Sequence, residues 1–161
     1  MTTVVGTIEG EVWKQLENVK DPEIPSISVV EMGMIHRVLV EESHVVIEFM
    51  PTFVGCPALK IIEQNIVDQL SALPGVTNVQ VELVFEPAWT SERISETGRE
   101  KLRQFGIAPP PGKPEDHWEI ACPYCGSRDT TLDNLFGPAA CRSIAYCRDC
   151  RNPFEALKPI Y

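Results

Sequence analysis

Cys122-Pro123-Tyr124-Cys125-Gly126 and Cys147-Arg148-Asp149-Cys150 decide how the C-terminal part of this chain folds, with 21 residues between Cys125 and Cys147. In a Cys-x-x-Cys knuckle two thiolates converge on one ion while backbone N–H groups point at the sulfurs. Two such knuckles close a tetrahedral four-sulfur site. Such a site holds together a segment too small to bury much apolar surface. The pattern predicts a zinc ribbon over residues 118–161, with Cys122, Cys125, Cys147 and Cys150 as ligands to a structural Zn²⁺. Four protein ligands leave no open position, so no chemistry is expected at this metal. Four-sulfur iron uses the same residues, and ligands alone do not separate the two metals. Cys141 stands outside both knuckles and reads as a packing residue.

The rest of the composition bounds the class. The chain has 161 residues, 43% of them apolar, enough for one packed domain and a small module. No apolar run approaches the roughly 18–20 residues that cross a bilayer, and MTTVVGTIEGEVWK (1–14) lacks a basic region followed by an apolar stretch, so neither a membrane span nor a secretory signal is expected. Six cysteines in that setting predict a reducing cytoplasm and metal ligation rather than disulfides. Residues 1–116 hold 9 Lys/Arg against 18 Asp/Glu, a net of −9, and residues 117–161 hold 5 against 5. Binding to a phosphate backbone needs a positive face, and neither part supplies one. A protein partner or a carried metal is the expectation, not nucleic acid.

Outward from the knuckles, IAPPPGKPEDH (107–117) has four prolines and reads as a linker. Residues 1–106 read as an α+β domain, its core over about 8–87, with a helical extension. Ile8, Val12, Leu16 and Val19 line one helical face. MIHRVLVEESHVVIEFM (34–50) predicts two strands around a turn at Glu41–Ser43, with Val45, Ile47 and Phe49 on one side. Leu59, Ile62, Ile66, Leu70 and Leu73 predict a second helix, stopped by Pro74-Gly75. Val79, Val81, Leu83 and Phe85 predict a third strand. The order helix, strand, strand, helix, strand implies a small mixed sheet with helices on one side. A further helix is expected after Trp89, capped by Thr90 or Ser91. The exposed sheet edge would allow two copies to pair.

Cys56 sits in Gly55-Cys56-Pro57, at the expected start of the second helix. Proline favours the first helical position, which places Cys56 at or near the N-cap, where free N–H groups and the helix dipole favour a thiolate. That thiolate could bind a soft metal, accept a cluster or act as a nucleophile; the alternative is a buried packing cysteine. Asp21 and Glu23 flank Pro22, and Glu31 precedes Met32-Gly33. Turn chemistry accounts for all three unless they face Cys56. Thr52 could donate a hydrogen bond beside Cys56 or cap its loop. His36 and His44 read as structural, and His117 as a neighbour of the first knuckle. No phosphate loop or nucleotide fingerprint is present.

Taken together, DPEIPSISVVEMGMI (21–35) and PTFVGCP (51–57) resemble the signature of the SufT-type iron–sulfur assembly domain, also called domain of unknown function 59 or the MIP18-like family, over about residues 8–87. EPAWTSERISETGREKLRQFGIAPP (86–110), with CPYCGS (122–127), FGPAAC (136–141), YCRDC (146–150) and PFEALKP (153–159), resembles the D component of phenylacetyl-CoA epoxidase complexes and extends the likeness over nearly the whole chain. Two positions depart from the assembly-domain pattern: Glu31 stands where Asp is usual, and Met50 where Thr is common. The resemblance implies an accessory, non-catalytic subunit that matures iron–sulfur or metal centres in a multicomponent monooxygenase of phenylacetate breakdown. Its partners would be the oxygenase and reductase components. Cys56 would be a transient ligand to iron or an iron–sulfur cluster, with Asp21, Glu23, Glu31 and Thr52 around it. The alternative is a structural or docking subunit of the same complex.

Overall fold

Thr7 opens the first helix. Its hydroxyl accepts from the Gly10 backbone N–H at 3.2 Å, and α1 runs Ile8–Leu16. The structure, a computed structural model, describes residues 7–53, 56–113 and 118–161. After α1 come β1 (Ile35–Glu41), β2 (His44–Phe49), α2 (Leu59–Ser71) and β3 (Asn78–Leu83), the order expected from the apolar periodicity. Glu42, at φ 54°, makes the tight turn between β1 and β2.

The three strands form a mixed sheet with β2 in the centre, antiparallel to β1 and parallel to β3. Val45, Ile47 and Phe49 on β2 are fully buried. Their cross-strand partners are Val40, Val38 and Ile35 on β1 and Val79, Val81 and Leu83 on β3. Helix α2 closes this face with Ile62, Ile66 and Leu70, and α1 adds Val12 and Leu16. The opposite face carries charged and polar side chains around the apolar pair Leu39 and Val46. A register shift between Ile35 and Arg37 brings His36 and Arg37 both beside Glu48, because a bulge sets two residues against one. Arg37 donates to both carboxylate oxygens of Glu48, at 2.8 and 2.9 Å, and these hydrogen bonds hold the Glu48 carboxyl below its ordinary value.

The backbone divides into two compact units: Met1–Pro51 with Pro57–Ala88, and Thr52–Cys56 with Trp89–Tyr161. The second holds a turn of 3-10 helix at Ser91–Arg93, helix α3 (Glu96–Gln104), and strands β4 (Ile107–Ala108), β5 (Thr130–Asn134), β6 (Arg142–Cys147) and β7 (Pro153–Leu157). Its sheet order is β4-β7-β6-β5, with β4 parallel to β7 and the other pairs antiparallel.

Three expectations change here. Helix α3 belongs to the ribbon unit, not to the first domain. Its cap is Ser95, whose hydroxyl accepts from the Gly98 N–H at 3.0 Å, not Thr90 or Ser91. Ser91 is committed elsewhere: its N–H donates to the Ile160 carbonyl at 2.7 Å, its hydroxyl accepts from the Ile160 N–H at 2.8 Å, and its carbonyl accepts from Arg99 at 2.8 Å. The linker expected at 107–117 does not begin at 107. Ile107 and Ala108 are buried and pair with Glu155 and Ala156. The prolines that follow cannot donate but can accept, and buried Arg99 also donates to the Pro110 carbonyl. Burial draws the Arg99 guanidinium below its ordinary value, opposed by nearby Glu96.

Because Ile66 is fully buried at the centre of α2, Ile66→Ala is expected to cost about 3 kcal/mol in urea unfolding. Ser95→Ala, which removes one capping bond, is expected to cost about 1 kcal/mol.

Candidate metal centre

Two turns of like construction bring the four knuckle cysteines together. In the first, the Gly126 N–H donates to the Cys122 carbonyl at 2.9 Å and the Cys122 N–H to the Ser127 carbonyl at 2.8 Å. In the second, the Cys147 N–H donates to the Asn152 carbonyl at 3.0 Å. The residue after the second cysteine of each knuckle is left-handed, Gly126 at φ 77° and Arg151 at φ 60°. Glycine adopts that conformation freely and arginine at a cost. The knuckles are tied side to side: the Ser127 hydroxyl donates to Asp149, the Arg148 N–H to the Asp129 carbonyl at 2.9 Å, and the Arg148 guanidinium to the Asp129 carboxylate at 3.2 Å. Beneath them Ala108, Cys122, Ala145, Cys147, Phe154 and Ala156 form a small buried cluster, flanked by Trp118 and Ile120.

The four sulfurs lie within 4.8 Å of one another. Cys122 Sγ is 3.6 Å from Cys150 Sγ, and Cys125 Sγ is 3.6 Å from Cys147 Sγ. Four ligands about 2.3 Å from a tetrahedral ion define edges of about 3.8 Å. The sulfur set therefore fits such an ion, and the residues expected from the spacing are the ones that converge. Asn152 Nδ2 donates to Cys150 Sγ at 3.4 Å, a partner the spacing did not reveal.

As free thiols Cys125 and Cys150 would not ionise alike. At Cys125 the Ser127 backbone N–H favours the thiolate, but desolvation and the sulfurs of Cys147, Cys150 and Cys122 outweigh it and push the thiol up to about 12. At Cys150 desolvation acts upward, and the Asn152 side chain and backbone, with Cys147 and Cys122, outweigh it and bring the thiol down to about 7. A metal ion would hold all four as thiolates, and binding would release protons. Cys141 is half-buried outside this set, and its carbonyl accepts from the Lys158 N–H at 2.9 Å.

The Cys56 region differs from the expectation. Helix α2 begins at Leu59 with Ala58 as its cap residue, so Pro57 is not at the first helical position and Cys56 is two residues short of the cap. Ala58 is already helical at φ −73°, ψ −16° and makes no side-chain cap bond. Cys56 is half-buried and, with Thr52, belongs to the second unit; Asp21, Glu23 and Glu31 lie in the first. Gly55 and His117 lie outside the described residues. Asp21 Oδ1 accepts from the Glu23 N–H at 2.8 Å. Glu31 Oε2 accepts from the Ser28 N–H at 2.8 Å, while the Ser28 hydroxyl accepts from the Glu31 N–H at 3.0 Å. Both carboxylates thus shape their own loop, the turn role weighed for them from sequence. Asp21 also borders a cleft of about 360 Å³ with Asn65, Asp68 and Gln69.

Two family models match the chain, and the assembly model takes Thr52 and Cys56 together with Asp21, Glu23 and Glu31. The family model for the PaaD zinc beta ribbon domain matches residues 107–158, and that for an iron–sulfur cluster assembly protein matches residues 9–82. A protein of Escherichia coli K12, provisionally named as the D component of 1,2-phenylacetyl-CoA epoxidase, is 39% identical over 153 residues, 93% of this chain and 92% of that one. The chain belongs to the PaaD family. An Fe-S protein maturation auxiliary factor of Porphyromonas gingivalis is 33% identical over 89 residues, 55% of this chain and 84% of that one. The crystal structure of a domain of unknown function 59 from Bacillus anthracis superposes with a TM-score of 0.55 at 31% identity, covering 59% of this chain and 91% of that one. The PaaD ribbon match thus begins at Ile107, where β4 pairs with β7.

Asn152→Ala, which removes a donor to Cys150 Sγ, is expected to lower metal affinity about 10-fold in competition with a chromophoric chelator. Arg151→Gly relieves the left-handed strain and is expected to raise the stability of the metal-loaded chain by up to about 1 kcal/mol in thermal unfolding.

Proposed function

We propose that this chain is the accessory maturation subunit of a phenylacetyl-CoA epoxidase system, assisting iron–sulfur or metal-centre assembly in its oxygenase and reductase partners without performing the oxygenation. The observation that carries this reading is the joining, in one chain, of an iron–sulfur assembly match over 9–82 and a PaaD ribbon match over 107–158. The ion in the ribbon is zinc in this reading, closed by Cys122, Cys125, Cys147 and Cys150 and structural. Cargo is handled elsewhere, at Cys56, where one thiolate outside the closed set can take iron or a cluster and give it up again. Of the polar residues expected around that cargo, Thr52 shares a unit with Cys56, whereas Asp21, Glu23 and Glu31 belong to the other. Reduced thiols throughout suit the cytoplasm, and β1 and β3, the outer strands of the three-stranded sheet, are where a second copy would pair. Among the described residues no helix is long and apolar enough to cross a membrane.

A docking role is the second reading, and one observation favours it. Asp21 and Glu31 each accept from a backbone N–H of their own loop, which leaves less of each carboxylate to offer a metal.

Elemental analysis of anaerobically purified wild type and Cys56→Ser is expected to give one zinc per chain in both. In cells, Cys56→Ser is expected to lower the iron and acid-labile sulfide of the client components. Unchanged client metal content, with the complex still assembled, would replace maturation by docking.

A further inference from the structure

We propose that a groove on the ribbon unit is the docking site for an apolar, carboxylate-bearing segment of the oxygenase component; the identity of that partner rests on the proposed function, and the groove's chemistry does not. The groove has a volume of about 600 Å³ and is lined by Phe105, Tyr124, Phe136, Pro138, Pro153 and Phe154, among others. Phe136 is 76% exposed, Tyr124 59% and Phe105 48%. Three aromatic rings left in water around one concavity form the kind of surface that partners cover.

The groove is held in shape before any partner arrives. The Phe136 N–H donates to Asn134 Oδ1 at 2.9 Å, and the Gly137 N–H to the Arg142 carbonyl at 2.9 Å. A Cβ on Gly137 would lie 2.8 Å from that carbonyl oxygen, so only glycine lets the Phe136 loop sit so close to β6. On the other wall Gly106, at φ 88°, leaves room for Tyr124, whose hydroxyl would lie 2.8 Å from a Cβ there. A rigid aromatic site loses little conformational entropy on binding.

Charge selects the occupant. The one acid lining the groove, Glu155, is already paired with buried Arg142 at 2.8 Å. Lys158 stands over the Phe136 ring, 5.1 Å from its centroid, and donates to the Ala140 carbonyl at 3.0 Å. It has no carboxylate partner among the described residues. The groove therefore presents apolar walls, and the uncompensated cation of Lys158 lies beside its Phe136 wall rather than in its lining, on a chain whose net charge is −9. A segment with an aromatic or aliphatic anchor and a nearby Asp or Glu complements both features. The groove also falls within 105–155, mostly in the stretch matched by the PaaD ribbon and beyond the assembly match at 9–82, as a partner-specific surface should.

The test is the affinity of the zinc-loaded full chain for the purified oxygenase component, at low and moderate salt. Phe136→Ala and Tyr124→Ala are each expected to weaken binding about tenfold or more. Lys158→Glu is expected to weaken it and remove the salt dependence, with Lys158→Arg restoring both. Zinc content and melting temperature should stay as in wild type for Phe136→Ala, since that ring is mostly in water. Wild type failing to bind, or binding unchanged by Phe136→Ala and Lys158→Glu, overturns the proposal. So does self-association of wild type lost in Phe136→Ala, which would make the occupant a second copy. Cys56→Ser serves as the reference. If it binds normally but lowers client iron while the groove variants bind normally, maturation stands and the groove falls. If the groove variants lose binding and Cys56→Ser leaves client iron unchanged, the groove stands and maturation falls.

Discussion

Convergence of four sulfurs within 4.8 Å is the constraint on which the second unit depends. The apolar cluster beneath it holds three alanines, two of the cysteines and a single phenylalanine. That cluster is small; the unit's larger buried side chains are Trp89, Ile94, Leu102, Ile107 and Leu157. A metal ion bound there would link β6, which ends in Cys147, to the knuckle that starts at Cys122, and would supply the cross-link that a larger core otherwise provides. The hydrogen bonds between the knuckles, from Ser127 to Asp149 and from Arg148 to Asp129, orient the sulfurs but are exposed, and exposed polar pairs contribute little on their own.

The first unit rests on a different physical basis. Val45, Ile47 and Phe49 are fully buried beneath Ile62, Ile66 and Leu70, an ordinary apolar layer that needs no ion. Its surface carries the chain's whole charge imbalance: residues 1–51 and 57–88 hold 4 Lys/Arg against 13 Asp/Glu, a net of −9. Such a surface repels phosphate backbones and accepts cations or basic partners. Two of those carboxylates, Asp21 and Glu31, are spent on loop geometry, which shows how an acidic signature motif can serve the fold as well as any cargo.

Structural metal and cargo ask opposite things of a cysteine. Four ligands around one ion make a site that is slow to open, whereas delivery needs a ligand that can let go. The proposed function separates the two within one chain, with the closed set at Cys122, Cys125, Cys147 and Cys150 and a single sulfur at Cys56. The exposed aromatic groove adds a third demand, recognition, met by rings held in place by Gly106, Gly137 and Asn134.

The four-sulfur site was legible in the sequence because a knuckle is a local device: two residues between ligands bring each pair of sulfurs together, and two such pairs announce one site. The α-β-β-α-β order was legible for a similar reason, since burial on one face imprints a period of 3.6 or 2 on the apolar residues. What escaped depended on contacts far apart in the chain. Ile107 and Ala108 looked like the start of a proline-rich linker and became a strand because β7, nearly fifty residues later, offers them an edge. Ser91 looked like a cap and was claimed by Ile160, leaving Ser95 to start α3. Arg151 carried no sign of its positive φ, which the closing of the knuckle imposes. The groove's three rings come from positions 105, 124 and 136, with no shared period to announce them. Local geometry and apolar spacing by themselves determined the metal ligands and the elements of the first unit; only the tertiary structure decided which strands they met, which polar groups were already taken, and which apolar rings were left in water.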